Sequence, residues 1–434
     1  MMKAKTGYVG VLILSLIPIL LWAQSPAQLP TRFSSLTNSL TSLGQLTGLI
    51  GLVMYCLTLF LNARLKFLED YFGGLNRVYM AHHLFGGISF ILLLIHPISL
   101  IIGRAVVSMP YARLILLPSD DWTVNFGIAS LLLMISLLML TFFIHLPYHI
   151  WRLTHKFLGL AFFLGAIHSF FIPSDISRIA ALRLYVIPFI GIGLASIVYR
   201  TLLSTWLVKK YAFTVKHMTW LKNNSVQMEL IPNEEHKGFI YEPGQFVFIQ
   251  FKGKGLSPEP HPFSISSYMG ENLKLTAKIL GDFTSRLNDI HPNTIALIEG
   301  PYGRFSFTYH KNTRQIWIAG GIGITPFVSM ARSLPPNHHV DLYYQVRTPD
   351  EAVYLAELEI IAKHHSNFRV IPHYSKTQGR LTADVLYQKS GGVSDKDIYL
   401  CGPPRMMYDL KYQLKRHGVG NKQIHSEEFQ MYEA

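Results

Sequence analysis

Cysteine is almost missing from this chain of 434 residues, which holds only Cys56 and Cys401. One lies in an apolar run and the other in a Gly/Pro segment, so neither a disulfide framework nor a cysteine metal cage is available. Charge is scarce as well, at 15% of residues, and acidic side chains are outnumbered 26 to 39. The net charge of +13 does not point to nucleic acid, because no basic run with interleaved aromatics is present and a positive-inside bias accounts for part of the excess. Calcium control has no support either, since Asp120-Asp121 stands alone without an EF-hand loop around it.

Apolar residues are abundant, half of the total, and they concentrate before about residue 208, as in a membrane protein. Runs long enough to cross a hydrocarbon core, about 20 helical residues each, fall near 8–23, 43–61, 79–102, 123–146, 155–172 and 182–207. A cytoplasmic N-terminus places Lys3, Lys5, Arg64, Lys66, Arg77, Arg152, Lys156, Arg200, Lys209 and Lys210 inside, against Arg32, Arg104, Arg113, Arg178 and Arg183 outside. The positive-inside rule favours that orientation, which leaves the polar second half in the cytoplasm. The first run, led by Lys3 and Lys5, also has the form of a signal peptide; a retained helix is the preferred reading.

Histidines interrupt the apolar runs. Ionisable groups inside a span are costly and are functional candidates by default. A single one is commonly satisfied by a neighbouring carbonyl, but here His82 and His155 each begin a His-x-x-x-Gly pattern, and His96 and His168 follow at spacings of 14 and 13. Fourteen residues rise about 21 Å, so the two histidines of each helix reach opposite membrane faces. His82 then meets His155 at the inner level and His96 meets His168 at the outer level. Two bis-histidine haems fit this ladder, and an iron with both axial positions filled suits electron transfer. Gly86, Gly87, Gly159 and Gly165 would let a porphyrin approach the backbone. No Cys-x-x-Cys-His is present for covalent haem attachment. Thirteen helical steps end about 140° from their start, so the fifth helix needs a kink, a bulge or an off-helix position near Pro173. The same arithmetic prefers His82 to the adjacent His83.

Beyond residue 208 the chain changes character. Segments such as Gln245–Phe251 and Leu273–Ile279 alternate with turns to about Tyr309, which predicts a small antiparallel barrel. From about Lys311 strands alternate with helices, the sign of a parallel sheet. There Gln315–Ala319 leads into Gly320-Gly321-Ile322-Gly323-Ile324, with Thr325 as the cap of a helix and Pro326 at its first position. Such a turn presents amides to a pyrophosphate. The next strand, Val340–Val346, ends at Arg347, a base suited to a 2′-phosphate and therefore to NADPH, with NADH as the alternative.

These residues together strongly resemble the superfamily of ferric reductases and NADPH oxidases over roughly residues 45 to 434. The resemblance implies a six-helix transmembrane haem-binding domain (1–208), an FAD-binding β-barrel domain (209–310) and an NAD(P)H-binding α/β domain (311–434). It implies that His82, His96, His155 and His168 bind two b-type haems. His261-Pro262-Phe263-Ser264 resembles the family's flavin motif, in which Phe263 packs on the isoalloxazine, Ser264 bonds to its reactive nitrogen and His261 lies near the pyrophosphate. Gly281, Phe283 and Thr284 match a flavin phosphate loop, while Gly320, Gly321, Gly323, Ile324, Thr325 and Pro326 match the nucleotide loop. Cys401-Gly402-Pro403-Pro404 resembles the segment beside the nicotinamide, and Phe429 the C-terminal aromatic that covers the flavin. Some oxygen-reducing members carry a further His one turn beyond the second His of the third helix, where this chain has Leu100, which argues against a dedicated oxygen site.

The implied activity carries electrons from cytoplasmic NADPH through FAD and two haems to a small-molecule acceptor across the bilayer, either a ferric chelate or oxygen. Alternatives are delivery to quinone or a periplasmic protein, or a nucleotide-regulated transporter or sensor without redox chemistry. No nucleic acid and no obligatory protein partner is expected.

Overall fold

The computed structural model describes residues 3–24, 29–144, 146–234, 238–253 and 259–427. The described residues fall into two compact units, one of 3–73 with 77–207, the other of 74–76 with 208–427.

The first unit is helical: α1 (Lys3–Ala23), α2 (Leu36–Leu61), α3 (Leu75–Ala105), α4 (Trp122–Phe143), α5 (Tyr148–Lys156), α6 (Leu158–Phe171) and α7 (Ala180–Val198). Counting α5 and α6 as one span, six helical segments among the described residues are long and apolar enough to cross a membrane. Polar side chains close the helix starts, Ser35 accepting from the Asn38 amide and Asp121 from the Thr123 and Val124 amides. Between α2 and α3 the backbones come close because α2 presents glycine. A Cβ on Gly44 would lie 2.8 Å from Leu100, and one on Gly51 would lie 3.0 Å from Leu93. Small residues at such spacing are how helices associate where no water drives them together.

The first helix is built into this unit. Near its end Trp22 donates Nε1–H to Asp175 at 2.8 Å, and Asp175 also pairs with Arg32 at 3.1 Å. The Arg32 guanidinium lies 4.1 Å over the Trp22 ring. Midway along, the Tyr185 hydroxyl donates to the Leu14 carbonyl at 2.7 Å.

The second unit contains two sheets. Strands β1 (Lys210–Leu221), β2 (Ser225–Pro232), β3 (Phe246–Lys252), β4 (His261–Ser264), β5 (Leu273–Lys278) and β6 (Ile295–Tyr302) form an antiparallel sheet in the order β4-β3-β6-β1-β2-β5. The predicted barrel is not closed among the described residues. Only the single bridge Ile265–Leu275 links the two ends of the sheet, because β4 is just four residues long and offers too little edge for a ladder. Inward-facing Val215, Met228, Ile249, Leu275 and Ile298 fill the concave side.

The second sheet is wholly parallel, in the order β11-β10-β7-β8-β9, with β7 (Arg314–Gly320), β8 (His339–Val346), β9 (Phe368–Tyr374), β10 (Asp397–Cys401) and β11 (Ile424–Glu427). Helices α8 (Thr325–Arg332), α9 (Leu355–His364), α10 (Ala383–Ser390) and α11 (Pro404–Arg416) connect the strands. Separate apolar clusters lie on the two faces, one around Trp317 and Phe327 and the other around Ile318 and Leu400, as a sheet covered on both sides requires. The chain runs outward from β7 to β9 and then returns to β10 on the other side of β7. That reversal is a topological switch point, where open parallel sheets take ligands.

Candidate functional site

Three groups of predicted residues can be placed. In the helical unit, the Nδ1 atoms of His82 and His96 lie 2.9 and 2.7 Å from the carbonyls of Thr58 and Gly44 on α2. On α6, His168 Nδ1 lies 2.8 Å from the Thr123 carbonyl of α4. A carbonyl only accepts, so in each imidazole Nδ1 carries the hydrogen and Nε2 keeps the lone pair. This is the carbonyl contact expected of an ordinary buried histidine, and no hydrogen bond of the other ring nitrogen is seen among the described residues. It is also the outer contact that orients metal-binding histidines.

His155 differs from the other three. Its Nδ1 is buried without a hydrogen-bond partner among the described residues, and the Trp151 ring one turn earlier stacks on it at 5.1 Å. Metal–imidazole bonds of about 2 Å on either side, plus about 1 Å from each nitrogen to its ring centre, separate two axial imidazole centres by about 6 Å. His82 and His155 stand 6.3 Å apart. His83 sits beside His82 on the exposed side of α3, so His82 is the one that faces His155.

The irregularity required of the fifth span lies at Phe157 rather than near Pro173. There α5 ends and α6 begins, and the Phe157 amide reaches back to Thr154, a three-residue step. His155 lies before this break and His168 after it, so the two need not keep the angle of an unbroken helix.

Glycines on α2 and α4 make room for two of these rings. A Cβ on Gly48 would meet His96 Nδ1 at 2.7 Å, and one on Gly127 would meet His168 Nδ1 at 2.8 Å. Gly86, Gly159 and Gly165 instead face Thr58, Ile197 and Ser130 on neighbouring helices, and only Gly87 opens onto space. The four-residue step from Gly44 to Gly48 was the signal available.

In the antiparallel sheet, His261, Pro262, Phe263 and Ser264 form the edge strand β4, paired with β3. His261, Pro262 and Phe263 are partly exposed along this strand, and Ser264 at its end is buried. Phe283 reaches this strand from the following loop, stacking on His261 at 3.6 Å and lying 6.1 Å from Phe263. Thr284 shapes that loop, its hydroxyl oxygen accepting from the amides of Leu280 and Gly281. The two sequence motifs thus share one aromatic patch.

At the switch point the loops after β7 and β10 touch. A Cβ on Gly323 would lie 2.4 Å from the Cys401 carbonyl oxygen, and one on Gly402 would lie 3.0 Å from the Gly320 backbone. A Cβ on Gly320 would also strike Pro403 at 2.8 Å. Only Gly321 needs glycine for its conformation, with φ +54°. Thr325 is the first helical residue rather than the cap, because a tight turn, Gly321–Ile324, precedes α8, and its hydroxyl donates back to the Ile322 carbonyl at 3.1 Å. Pro326 follows in the first turn. The Cys401 thiol is fully buried, and burial, with the Glu427 carboxylate adding to it, raises its pKa well above the usual thiol value. It is a neutral packing group, not a thiolate.

Arg347 ends β8 as predicted, with an exposed side chain. Its amide donates to Glu351, and its carbonyl accepts from Lys376 in the turn after β9. Phe429 lies outside the described residues.

Known families match each part. Residues 47–166 match the ferric reductase like transmembrane component, 210–306 an FAD-binding domain and 317–411 an oxidoreductase NAD-binding domain. The chain thus joins a ferric reductase like transmembrane component to FAD-binding and NAD-binding domains, the parts of the ferric reductase and NADPH oxidase superfamily. Dual oxidase 2 of Sus scrofa is 32% identical over 126 residues, 25% of this chain and 8% of that protein. The glycine betaine monooxygenase reductase subunit of Pseudomonas aeruginosa is 27% identical over 208 residues, 44% of this chain and 57% of that protein. The chain therefore spans little more than half the length of that relative. Among solved structures, a flavohemoglobin from Malassezia yamatoensis with bound FAD and heme aligns with TM-score 0.53 at 17% identity, over 90% of this chain and 96% of that one. That likeness concerns the fold. The protein is an oxidoreductase with a ferric reductase-like transmembrane domain and an NAD(P)H- and FAD-binding module.

Proposed function

We propose that the protein carries electrons from cytoplasmic NADPH, through FAD and two b-type haems, to a small acceptor on the other side of the membrane. The observation that carries the reading is the bonding of His82, His96 and His168 through Nδ1 alone. Each ring is oriented by its carbonyl and offers Nε2 to iron, with His155 as the fourth ligand. His82 with His155 forms the inner pair and His96 with His168 the outer. The N-terminus and the nucleotide module are cytoplasmic in this reading.

Bound FAD supplies the conversion that the chain cannot make itself, accepting two electrons as hydride and passing them singly to iron. The chain's own residues position and exclude. Phe263 and Ser264 hold the isoalloxazine, while His261 and the Gly281, Phe283 and Thr284 loop hold its phosphates. The Gly320–Pro326 and Cys401–Pro403 loops bring the nicotinamide to the switch point, and Arg347 takes the 2′-phosphate. Phe429 covers the flavin until NADPH arrives.

For the acceptor, a ferric chelate at the outer surface is favoured over a dedicated oxygen site. Leu100, one turn beyond His96, packs on Gly44 of α2 and supplies no polar group to oxygen. Haem analysis of the purified protein tests the ligand assignment: two haems per polypeptide are expected, falling to one in His96→Ala and in His168→Ala. Unchanged haem content in both variants would remove the outer site.

A further inference from the structure

The nucleotide-binding sheet holds a second cluster of metal-ligating side chains, far from the loops that meet at its switch point. Asp397 and Tyr399 lie on one face of β10, two residues apart, and His425 on β11 is directly opposite Tyr399. The connector from β6 to β7 crosses this face. Its Phe305 and Phe307 are buried in the same apolar cluster as Tyr399, and this anchors His310 with its ring 3.7 Å from that of His425. His425 Nε2 is 3.1 Å from Asp397 Oδ2, while Asn312 donates to Asp397 Oδ1 at 3.4 Å. One donor atom from each of His310, Asp397 and His425 lies within 4.8 Å of the other two.

We propose that His310, Asp397 and His425 bind a divalent transition-metal ion of the Zn2+ class. Two imidazoles and one carboxylate make a three-ligand set with an open position, suited to zinc by ligand type. Calcium and magnesium need more oxygen than this cluster provides. Tetrahedral ligands at about 2 Å stand about 3.3 Å apart, so no separation here has to close by more than roughly 1.5 Å. The least buried member, His310, lies in the connector rather than in a strand and can make that movement. Asp397 and His425 are 8% and 9% exposed, so the carboxylate opposes the ion's charge with little water to screen it. The Tyr399 hydroxyl, on the same face, is buried with no hydrogen-bond partner among the described residues.

The site is distinct from the nucleotide loops. Asp397 begins β10 and Cys401 ends it, and four strand residues span about 13 Å. A metal here ties the connector between the two sheets to the last strand. Its role is to fix that junction, and hydride transfer does not pass through it.

Full-length protein carrying its flavin, treated with EDTA, desalted and equilibrated with micromolar Zn2+, tests the proposal by elemental analysis. Wild type should retain one more zinc per chain than His310→Gln, Asp397→Asn or His425→Gln, and Zn2+ should raise the melting temperature of wild type alone. FAD content, measured alongside, shows which variants fold. His310→Gln alters the half-buried connector residue and decides the matter if the strand variants lose FAD. Equal zinc in wild type and a folded His310→Gln variant overturns the proposal, as does wild type that binds none. In either case the cluster is an internal histidine–aspartate pair only.

Discussion

His96 Nδ1 lies 2.7 Å from the carbonyl oxygen of Gly44, and the ring occupies the space that a side chain at Gly48, one turn later, would fill. The helix that orients the imidazole therefore also makes room for it. Gly48→Ala would place a Cβ 2.7 Å from Nδ1 and must turn the ring away. We expect this variant to lose the outer haem while keeping the inner one. Gly191→Ala on α7, where no atom lies within 4 Å of the new Cβ, should keep both. Haem-to-protein ratios check the pair, and two haems in Gly48→Ala would contradict the seating.

Asp175 binds Trp22 and Arg32 together, with only 10% and 8% of the Arg32 and Asp175 side chains exposed. Removing one partner of a buried pair costs about 3–5 kcal/mol, because the other charge is left uncompensated. Asp175→Ala should lower the melting temperature in detergent, and a conservative Trp22→Phe should lower it less. Since the first helix takes part in this contact, the intact mass of the membrane-extracted protein should include residues 3–23. A mature form that starts after Ala23 would mean that the first run is a cleaved leader.

Nucleotide choice rests on Arg347. Losing a charge-assisted hydrogen bond costs about 1.5–3 kcal/mol, roughly a tenfold to hundredfold rise in KM for NADPH in Arg347→Ala. The KM for NADH, which has no 2′-phosphate, should change little. Steady-state kinetics with both nucleotides gives the answer, and a wild-type preference for NADH would sink the assignment.

Removing the aromatic at Phe429 should change the rate of hydride transfer and leave the haem spectrum alone. Stopped-flow flavin reduction in Phe429→Ala measures this directly. A destabilised variant whose folded fraction reduces flavin at the wild-type rate would make Phe429 a packing residue instead.

The spacing of His82, His96, His155 and His168 was legible because each span repeats a pattern that apolar packing alone does not require. Their partners were not, since Thr58, Gly44 and Thr123 belong to other helices and are chosen by how the helices cross. Helical arithmetic showed that the fifth span needed an irregularity, but only the local bonding at Phe157 fixes its place. Alternation revealed the strands of the flavin-side sheet, yet closure depends on edge length, and β4 is too short to provide it. At Gly320–Pro326 the glycine run was plain, whereas the approach of Cys401 and Gly402 joins loops about 80 residues apart in sequence. His310 and His425 are further apart still, and no local pattern marks them as neighbours.

The account stands most directly on one absorption measurement, made anaerobically on the purified full-length protein before and after NADPH. We predict an oxidised spectrum with both flavin and low-spin haem bands. NADPH should then bleach the flavin and bring up the reduced b-type α-band in full, in wild type. His82→Ala and His155→Ala should still bleach the flavin without full haem reduction. A protein with flavin but no haem bands, or with haem that NADPH leaves oxidised after the flavin is bleached, would contradict the proposed electron path.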